Sequence, residues 1–112
     1  MIPKRLARVG ETIRAEISDM LLRDIKDPGI GFVTITDVVM SPDLKHARVY
    51  FSRMGTEEDV AASQAGLMRA AGFFRRQLGR RLRLKYAPEL RFEHDSSLET
   101  GARIDALLKE IE

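Results

Sequence analysis

Apolar residues recur at intervals of three and four in the first segment of the chain. The stripe consists of Leu6, Val9, Ile13, Ile17, Met20 and Leu21. This spacing is typical of a helix with one buried face. The segment "KDPG" follows, in which Pro28 disfavours the α conformation of the preceding residue and Gly29 suits a turn. The pattern therefore predicts a first helix that ends at this segment.

Two alternating segments come next and predict a β-hairpin. "GFVTITDVV" is rich in β-branched residues and is typical of a strand that continues to about Val39. The turn sequence "SPDL" then reverses the chain. In "KHARVYFSR" the alternation places Ala47, Val49 and Phe51 on one face and His46, Arg48 and Tyr50 on the other.

A second helical region follows the hairpin. Thr56 suits the N-cap, and the acidic residues 57–59 occupy a first turn where the helix dipole favours negative charge. One side of this region carries Val60, Gln64, Leu67, Met68 and Ala71, and continues through Phe74, Leu78 and Leu82. A single helix of this length is unusual in so small a domain, and glycine loosens a helix. We predict a kink at "AAG", residues 70–72.

The end of the chain predicts one more strand and one more helix. Leu82, Leu84 and Tyr86 fit both a strand and a fraying helix end, so that boundary stays open. "ELRFEHD" predicts a third strand, and "SSLETGARIDALLKEIE" a final helix with a Ser96–Glu99 capping box. The order predicts an α+β fold in one domain spanning residues 1–112, with a three-stranded sheet packed on helices.

Composition narrows the class of protein. The chain has 112 residues, enough for one modest core, and 44% of them are apolar. Because it has no cysteine, disulfides and thiolate metal sites are excluded. No apolar run reaches the length of a membrane span, and the first residues lack the apolar block of a secretory signal. We expect a cytoplasmic protein.

Positive charge is concentrated in "RAAGFFRRQLGRRLRLK", residues 69–85. The segment holds seven of the 19 basic residues and no acidic one, so the rest of the chain has 12 basic and 17 acidic residues. Helical projection places Arg69, Arg76, Arg80 and Arg83 opposite the apolar side.

A solvated helix face is the ordinary explanation of such a run. Three features of the segment oppose it: no carboxylate relieves the repulsion, six of the seven cations are arginine, and Gly72 and Gly79 flank the charge. Arginine matches phosphate with two parallel hydrogen bonds, and glycine lets a nucleic-acid backbone come close. The segment therefore predicts binding of nucleic acid or another polyanion.

Other candidates are weaker. Lys4, Arg5 and Arg8 open the first helix, where they either reach phosphate or form a frayed terminus, and the sequence leaves both open. Phe73 is interpreted as packed rather than as a base-stacking residue. Lys45 and Arg48, near the hairpin turn, are interpreted as solvated, with a wider nucleic-acid footprint as the alternative.

No catalytic constellation is apparent. His46 and His94 lack a metal-ligand spacing, and capping explains Ser96 and Ser97 better than nucleophilic catalysis does. We expect no enzyme activity, no cofactor, no bound metal and no small-molecule substrate.

Several separated stretches resemble the bacterial ribosome-binding factor A family. They are "RVGETIRAEISDMLLRDIKDP", "SPDLKHARVY", "AAGFFRRQLGRRL", "PELRF" and "DSSLETGARI". The element order is similar to that of a type II KH domain, in which the turn between two helices holds nucleic-acid backbone. The usual GxxG of that turn is replaced here by Ala70-Ala71-Gly72.

The resemblance implies a ribosome assembly factor. Such a protein would bind the free or immature small (30S) subunit through 16S rRNA and assist late maturation and processing of the rRNA 5′ end, above all in the cold. It would act as a monomer and be released with the help of an assembly GTPase.

The resemblance also implies an RNA-binding surface at the kink. Ala70, Ala71 and Gly72 would form the kink, and Arg69, Arg75, Arg76 and Arg80 would flank it. The full expected set is Arg69, Ala70, Ala71, Gly72, Arg75, Arg76, Arg80, Arg81, Arg83 and Lys85, with Lys4, Arg5 and Arg8.

Two other classes remain as alternatives. The arginine-rich helix would dock an acidic partner if the protein were a protein-interaction module. A peripheral membrane protein is the weaker alternative, because the apolar face of that helix is needed for the core.

Overall fold

The computed structural model describes residues 3–96, which form three helices and a three-stranded sheet. The elements are α1 (Lys4–Arg23), β1 (Val33–Met40), β2 (His46–Arg53), α2 (Glu57–Arg69), α3 (Ala71–Leu82) and β3 (Glu89–His94). The predicted α+β class and the element order from the first helix to the third strand are confirmed. The predicted C-terminal helix lies outside the described residues, and so does Glu99 of its capping box. The relation to KH domains stays a prediction.

The sheet is mixed, with the strand order β1-β2-β3. β1 and β2 pair antiparallel as the predicted hairpin, whereas β2 and β3 pair parallel. A parallel pair requires a long crossover connection, which α2 and α3 provide. The register of β1 shifts between Ile35 and Asp37, so Thr36 forms a bulge and the buried alternation restarts at Val38.

The core lies between one face of the sheet and the three helices. α1 packs mainly on β1, while α2 packs on β3. Phe51, Phe74 and Phe92 are fully buried, and the rings of Phe74 and Phe92 lie 5.9 Å apart. Burial of a side chain of this size contributes about 1.5–3 kcal/mol. Leu90 and Phe92 are the buried positions of β3.

A close approach fixes α1 against the hairpin. Gly10 is buried in α1, and a Cβ at this position would overlap the carbonyl oxygen of Val38. The missing side chain therefore lets the helix backbone lie directly on β1, which holds the first turns of α1 beside the sheet.

The buried face of α2 differs from the one that helical spacing predicts. Leu67 is buried as predicted, but the predicted Gln64 and Met68 are exposed, and Ser63 and Gly66 are buried instead. The cause is Ile30, whose side chain occupies the space beside Gly66 and whose carbonyl oxygen accepts a hydrogen bond from the Ser63 hydroxyl. Small residues are needed where the chain before β1 packs on α2.

The predicted boundaries of the helix pair are confirmed. Thr56 caps α2 in a capping box with Asp59. The kink falls at Ala70, which ends α2 and starts α3. α3 ends at Leu82, and Arg83 has a left-handed conformation with φ 50°. The segment before Pro88 is therefore a loop and not a strand, which answers the open question at this boundary.

Candidate nucleic-acid interface

An open groove of about 640 Å³ runs beside the kink. Its helix side is formed by Met68, Ala71, Gly72 and Arg75, and its sheet side by residues 46–48 and 89–91. The groove exists because the helices pack over the sheet at Leu67 and Phe74 and turn at Ala70 between these two points. Arg48, Arg75 and Arg91 line it, against the single carboxylate of Glu89.

The first turn of α3 presents bare backbone to this groove. Ala70, its N-cap, has no side chain that accepts a hydrogen bond, and the first turn contains no acidic residue. Where a Gly72 side chain would lie, the nearest atom is Arg76 Nη1, at 3.6 Å. Backbone N–H groups at a helix N-terminus attract phosphate, and an adjacent guanidinium adds charge-assisted hydrogen bonds. The turn therefore offers space and donors for one phosphate.

Arg75 has a structural partner. Its Nε donates to the carbonyl oxygen of Pro88 at 3.1 Å, and its Nη2 donates to that of Ala87 at 3.4 Å. These hydrogen bonds tie α3 to the segment that enters β3. Carbonyl oxygens carry only partial charge, so these hydrogen bonds do not neutralise the guanidinium at the wall of the groove.

Arg69 is paired with Asp27 in the loop after α1. Its Nη2 and Nε lie 3.0 and 3.2 Å from Asp27 Oδ2. The backbone N–H of Gly29 donates to the other carboxylate oxygen at 2.9 Å. The Gly29 hydrogen bond, together with Arg69, lowers the pKa of the Asp27 carboxyl, so the pair is fully charged at neutral pH.

Arg81 is paired with α1 and the loop that follows it. Its Nη1 lies 2.6 Å from Glu16 Oε2 and 3.6 Å from Asp19 Oδ2, and its Nη2 lies 3.7 Å from Asp24 Oδ2. The hydrogen bond to Glu16, followed by the charges of the carboxylates, raises the pKa of the Arg81 guanidinium. Arg81 thus links α3 to α1 at the protein surface.

The remaining cations of the segment are exposed. Arg76, Arg80, Arg83 and Lys85 form no ion pair with any carboxylate in residues 3–96. Arg76 and Arg80 are one helical turn apart, so their like charges repel. An anionic ligand would relieve that repulsion.

The N-terminal cations are all exposed, and one of them lies near the end of the basic segment. Lys4, Arg5 and Arg8 are exposed on α1, whose first turn has no acidic residue and no side-chain cap. Arg5 lies in a cleft with Arg83 and Lys85. The fold therefore brings one end of α1 to the end of the basic segment, which sequence separation alone does not suggest.

The minor candidates have structural explanations. Phe73 is half-buried against the core, with its ring 6.3 Å from that of Phe74, so packing is confirmed. His94 packs against Phe51, with ring centroids 5.7 Å apart. Residues 3–96 contain no cluster of three or more His, Asp or Glu side chains that could hold a metal ion. Within the same range, no helix has the length and apolar content to cross a membrane.

Some features of this surface escaped the sequence reasoning. The acidic partners of Arg81 lie along α1 at Glu16 and Asp19, three residues apart on one helix face, and this spacing is a signal that could have paired the acidic helix with the basic one. Arg48 and Arg91 line the groove together because the parallel register of β2 and β3 places them opposite each other. No sequence pattern indicates this position.

Comparison with known proteins gives one consistent result. The model of the family described as ribosome-binding factor A matches residues 5–108. A protein of Geobacter sulfurreducens with that name is 47% identical over 108 residues, which cover 96% of this chain and 92% of the relative. One of the same name from Halothermothrix orenii is 46% identical and covers 96% and 88%.

Solved structures share the fold. The solution structure of a Thermotoga maritima protein, a candidate ribosome binding factor A, is 38% identical with a TM-score of 0.70, covering 83% of this chain and 90% of that one. A homology model of Thermus thermophilus ribosome binding factor A, fitted into a cryo-EM map of its 30S complex, is 23% identical with a TM-score of 0.63, covering 78% and 91%.

Proposed function

Because the chain belongs to the ribosome-binding factor A family, we propose that it is an assembly factor for the small (30S) ribosomal subunit. It binds the free or immature subunit through 16S rRNA in the cytoplasm and assists late maturation and processing of the rRNA 5′ end, including growth in the cold. Residues 1–112 act as a single KH-like domain and a monomer, and an assembly GTPase helps to release it. Its action is binding and not catalysis.

One observation carries the proposal: bare backbone and an exposed guanidinium meet at the kink. Gly72 leaves the first turn of α3 open, and Arg76 lies beside it. A sugar-phosphate backbone entering the groove would receive N–H donors from the turn and a charged donor from Arg76. Membership of a family described as ribosome-binding factor A supports the ribosome as the binding partner.

The pairing pattern sorts the arginines into two roles. Arg69 and Arg81 have carboxylate partners within the fold, and Arg75 holds backbone carbonyls, so we assign these three to support of the helix pair. Phosphate contact falls to the cations that lack a carboxylate partner in residues 3–96. Among these we assign phosphate contact to the exposed Arg76, Arg80, Arg83 and Lys85 of the basic segment, together with Arg5, which lines a cleft with Arg83 and Lys85.

Binding of this kind acts on rRNA folding by shifting populations. A factor that binds one rRNA conformation more tightly favours it by the ratio of its two affinities, and a tenfold ratio corresponds to about 1.4 kcal/mol. The rigid sheet and the fixed kink suit such selection because the spacing of the phosphate-binding groups cannot adapt to a differently folded RNA.

The salt dependence of binding to a 16S rRNA fragment tests the proposal. If five cations neutralise phosphates, log K should fall by about 3.5 to 4.5 units for each tenfold rise in salt. A slope near zero would contradict phosphate binding. Competition with polyglutamate tests the protein-interaction alternative. If the basic face docks an acidic protein, polyglutamate should bind that face more tightly than the rRNA fragment and should displace the fragment.

A further inference from the structure

A second cleft lies beyond the C-terminal end of α3 and shares no lining residue with the groove at the kink. Three separate parts of the chain meet there: the start of α1, the β1–β2 turn and the loop from α3 to β3. They contribute Arg5 from α1, Lys45 from the turn, and Arg83, Lys85 and Tyr86 from the loop. The expected RNA-binding set includes Arg5, Arg83 and Lys85, but it contains neither Lys45 nor Tyr86.

The cleft is strongly cationic. Four positive side chains line it, against the single carboxylate of Asp43. That carboxylate is already engaged, because Asp43 Oδ1 accepts hydrogen bonds from the Ser41 hydroxyl at 2.6 Å and from the Lys45 backbone N–H at 3.0 Å. Arg5, Lys45 and Arg83 form no ion pair with a carboxylate in residues 3–96, so they are left for an anionic ligand that bridges α1, the turn and the loop.

Tyr86 gives the cleft an aromatic surface. Its side chain is 61% exposed, although burial of so large an apolar surface is favourable. The ring lines this cleft and also an adjoining one formed with Lys45, His46, Ala87 and Glu89, so it stands between two open spaces. Lys85 Nζ lies over the ring, 5.6 Å from its centroid. A ring has two faces, so a cation on one leaves the other for a planar ligand.

The backbone at the cleft is held in a disfavoured conformation. Among the described residues, two non-glycine residues have positive φ, Leu44 at 61° and Arg83 at 50°, and both line this cleft. Left-handed conformations cost free energy for residues with a side chain and cluster at ligand-binding segments. Leu44 lies in the β1–β2 turn and Arg83 at the start of the α3–β3 loop, and the two segments, from different parts of the chain, both line this cleft.

We propose that this cleft binds a nucleotide of single-stranded RNA, with its base stacked on Tyr86 and its flanking phosphates held by Arg5, Lys45 and Arg83. Exposed aromatic rings beside cations bind single strands because every base has a stacking face and every linkage a phosphate. An acidic protein partner would use the cations but would leave the tyrosine without a role. The inference rests on the proposed rRNA binding and adds a second contact to it.

Tyrosine fluorescence tests the stacking directly. The chain contains two tyrosines and no tryptophan, so Tyr50→Phe leaves Tyr86 as the reporter. Titration of this variant with a short oligouridylate should quench its fluorescence to saturation. Tyr86→Phe, which retains Tyr50, should bind the same RNA with little quenching. If anisotropy of labelled oligouridylate reports binding while the Tyr86 signal stays constant, the stacking contact is overturned.

Affinity provides the second measurement. Tyr86→Ala should weaken oligouridylate binding by about five- to 150-fold, the range for loss of one base stack, whereas Tyr86→Phe should bind like wild type. Arg5→Gln with Lys45→Gln should lower the salt slope by about 0.7 for each cation removed. Because Arg5, Lys45 and Tyr86 are all exposed, the variants at these positions should unfold at the wild-type temperature.

Purified small subunits separate this inference from the proposed function. If wild type binds small subunits and Tyr86→Ala binds oligouridylate as wild type does, the cleft proposal falls and the assembly function stands. If wild type binds neither small subunits nor oligouridylate, both proposals fall.

Discussion

Arg81 Nη1 in α3 donates a hydrogen bond to Glu16 Oε2 in α1 across 2.6 Å. This contact and the neighbouring Asp19 and Asp24 bind one end of the basic segment to the first helix. The adjacent Arg80 is exposed and has no carboxylate partner within residues 3–96. Neighbouring arginines thus have different surroundings, because a helix turns each residue by 100° relative to the one before.

Arg81→Ala and Arg80→Ala should therefore affect different properties: the first stability, the second rRNA binding. Arg81 and Glu16 are about one-third exposed, so solvent screens the pair, and we expect Arg81→Ala to lower the free energy of unfolding by about 1 kcal/mol. Its salt slope for rRNA binding should stay at the wild-type value. Arg80→Ala should leave stability within about 0.5 kcal/mol and lower the slope by about 0.7 to 0.9.

Urea unfolding and rRNA titration of both variants check this prediction. Loss of rRNA affinity in Arg81→Ala at unchanged stability would show that Arg81 contacts RNA instead of α1.

Gly72→Ala should separate folding from binding. A methyl group at this position meets only Arg76 Nη1, at 3.6 Å, so the variant should fold with stability within about 1 kcal/mol of wild type. The methyl group would nevertheless occupy the space in which a phosphate approaches the first turn of α3. Because a hydrogen bond to a charged group contributes about 1.5–3 kcal/mol, we expect rRNA binding to weaken by about tenfold or more.

Gly79→Ala is the matched control in the same helix. A methyl group there would lie 3.9 Å from Ala87 Cβ, an ordinary contact outside the groove. It should change neither stability nor rRNA binding by a large factor. Equal rRNA affinities for the two alanine variants would contradict close approach of the RNA backbone at Gly72.

Stability should fall on acidification, in part through Asp27. The Gly29 hydrogen bond and Arg69 lower the pKa of Asp27 in the folded protein. A carboxyl with a depressed folded pKa contributes stability above its unfolded pKa, and this contribution is lost as pH falls through the folded value. Asp27→Asn, which cannot ionise, should therefore show a smaller loss of unfolding free energy between neutral pH and about pH 3.

Urea midpoints measured across this pH range check the prediction. In the Arg69→Ala background, Asp27→Asn should flatten the pH dependence less, because one cause of the pKa shift has been removed. An identical acid response in wild type and Asp27→Asn would contradict the contribution of this pair.

The sequence predicted the elements because their signals are local. Periods of two and 3.6, the Thr56 cap and the "AAG" sequence depend on a few adjacent residues, and the elements that they predict in residues 3–96 agree with the structure. The buried face of α2 was predicted wrongly at Gln64 and Met68 because its packing partner, Ile30, lies far away in the chain. Helical spacing cannot show which small residues a distant side chain requires.

The sequence predicted a basic surface on the helix pair, but it did not predict which arginines have partners within the fold. A one-signed charge run indicates a basic face, yet the partners of Arg69 and Arg81 are carboxylates 42 and 65 residues away. Only the fold decides which guanidinium reaches a carboxylate and which stays in solvent. The same limit applies to Tyr86, whose exposure depends on where Arg83 turns the chain.

Co-sedimentation with ribosomal particles directly tests whether the protein binds the small subunit through Arg76 and Arg80. Wild type, Arg76→Glu/Arg80→Glu and the control Arg23→Glu/Lys26→Glu are run on sucrose gradients with purified small subunits, large subunits and assembled ribosomes. The control makes the same change in net charge at exposed positions outside the proposed interface. Because Arg23 Nε lies 2.9 Å from Asp19 Oδ1, urea unfolding first verifies that the control is folded. We expect wild type and the control to migrate with free small subunits and the Arg76/Arg80 variant to stay at the top. Failure of folded wild type to migrate with small subunits would contradict the proposed function. Equal migration of all three proteins would contradict binding through Arg76 and Arg80.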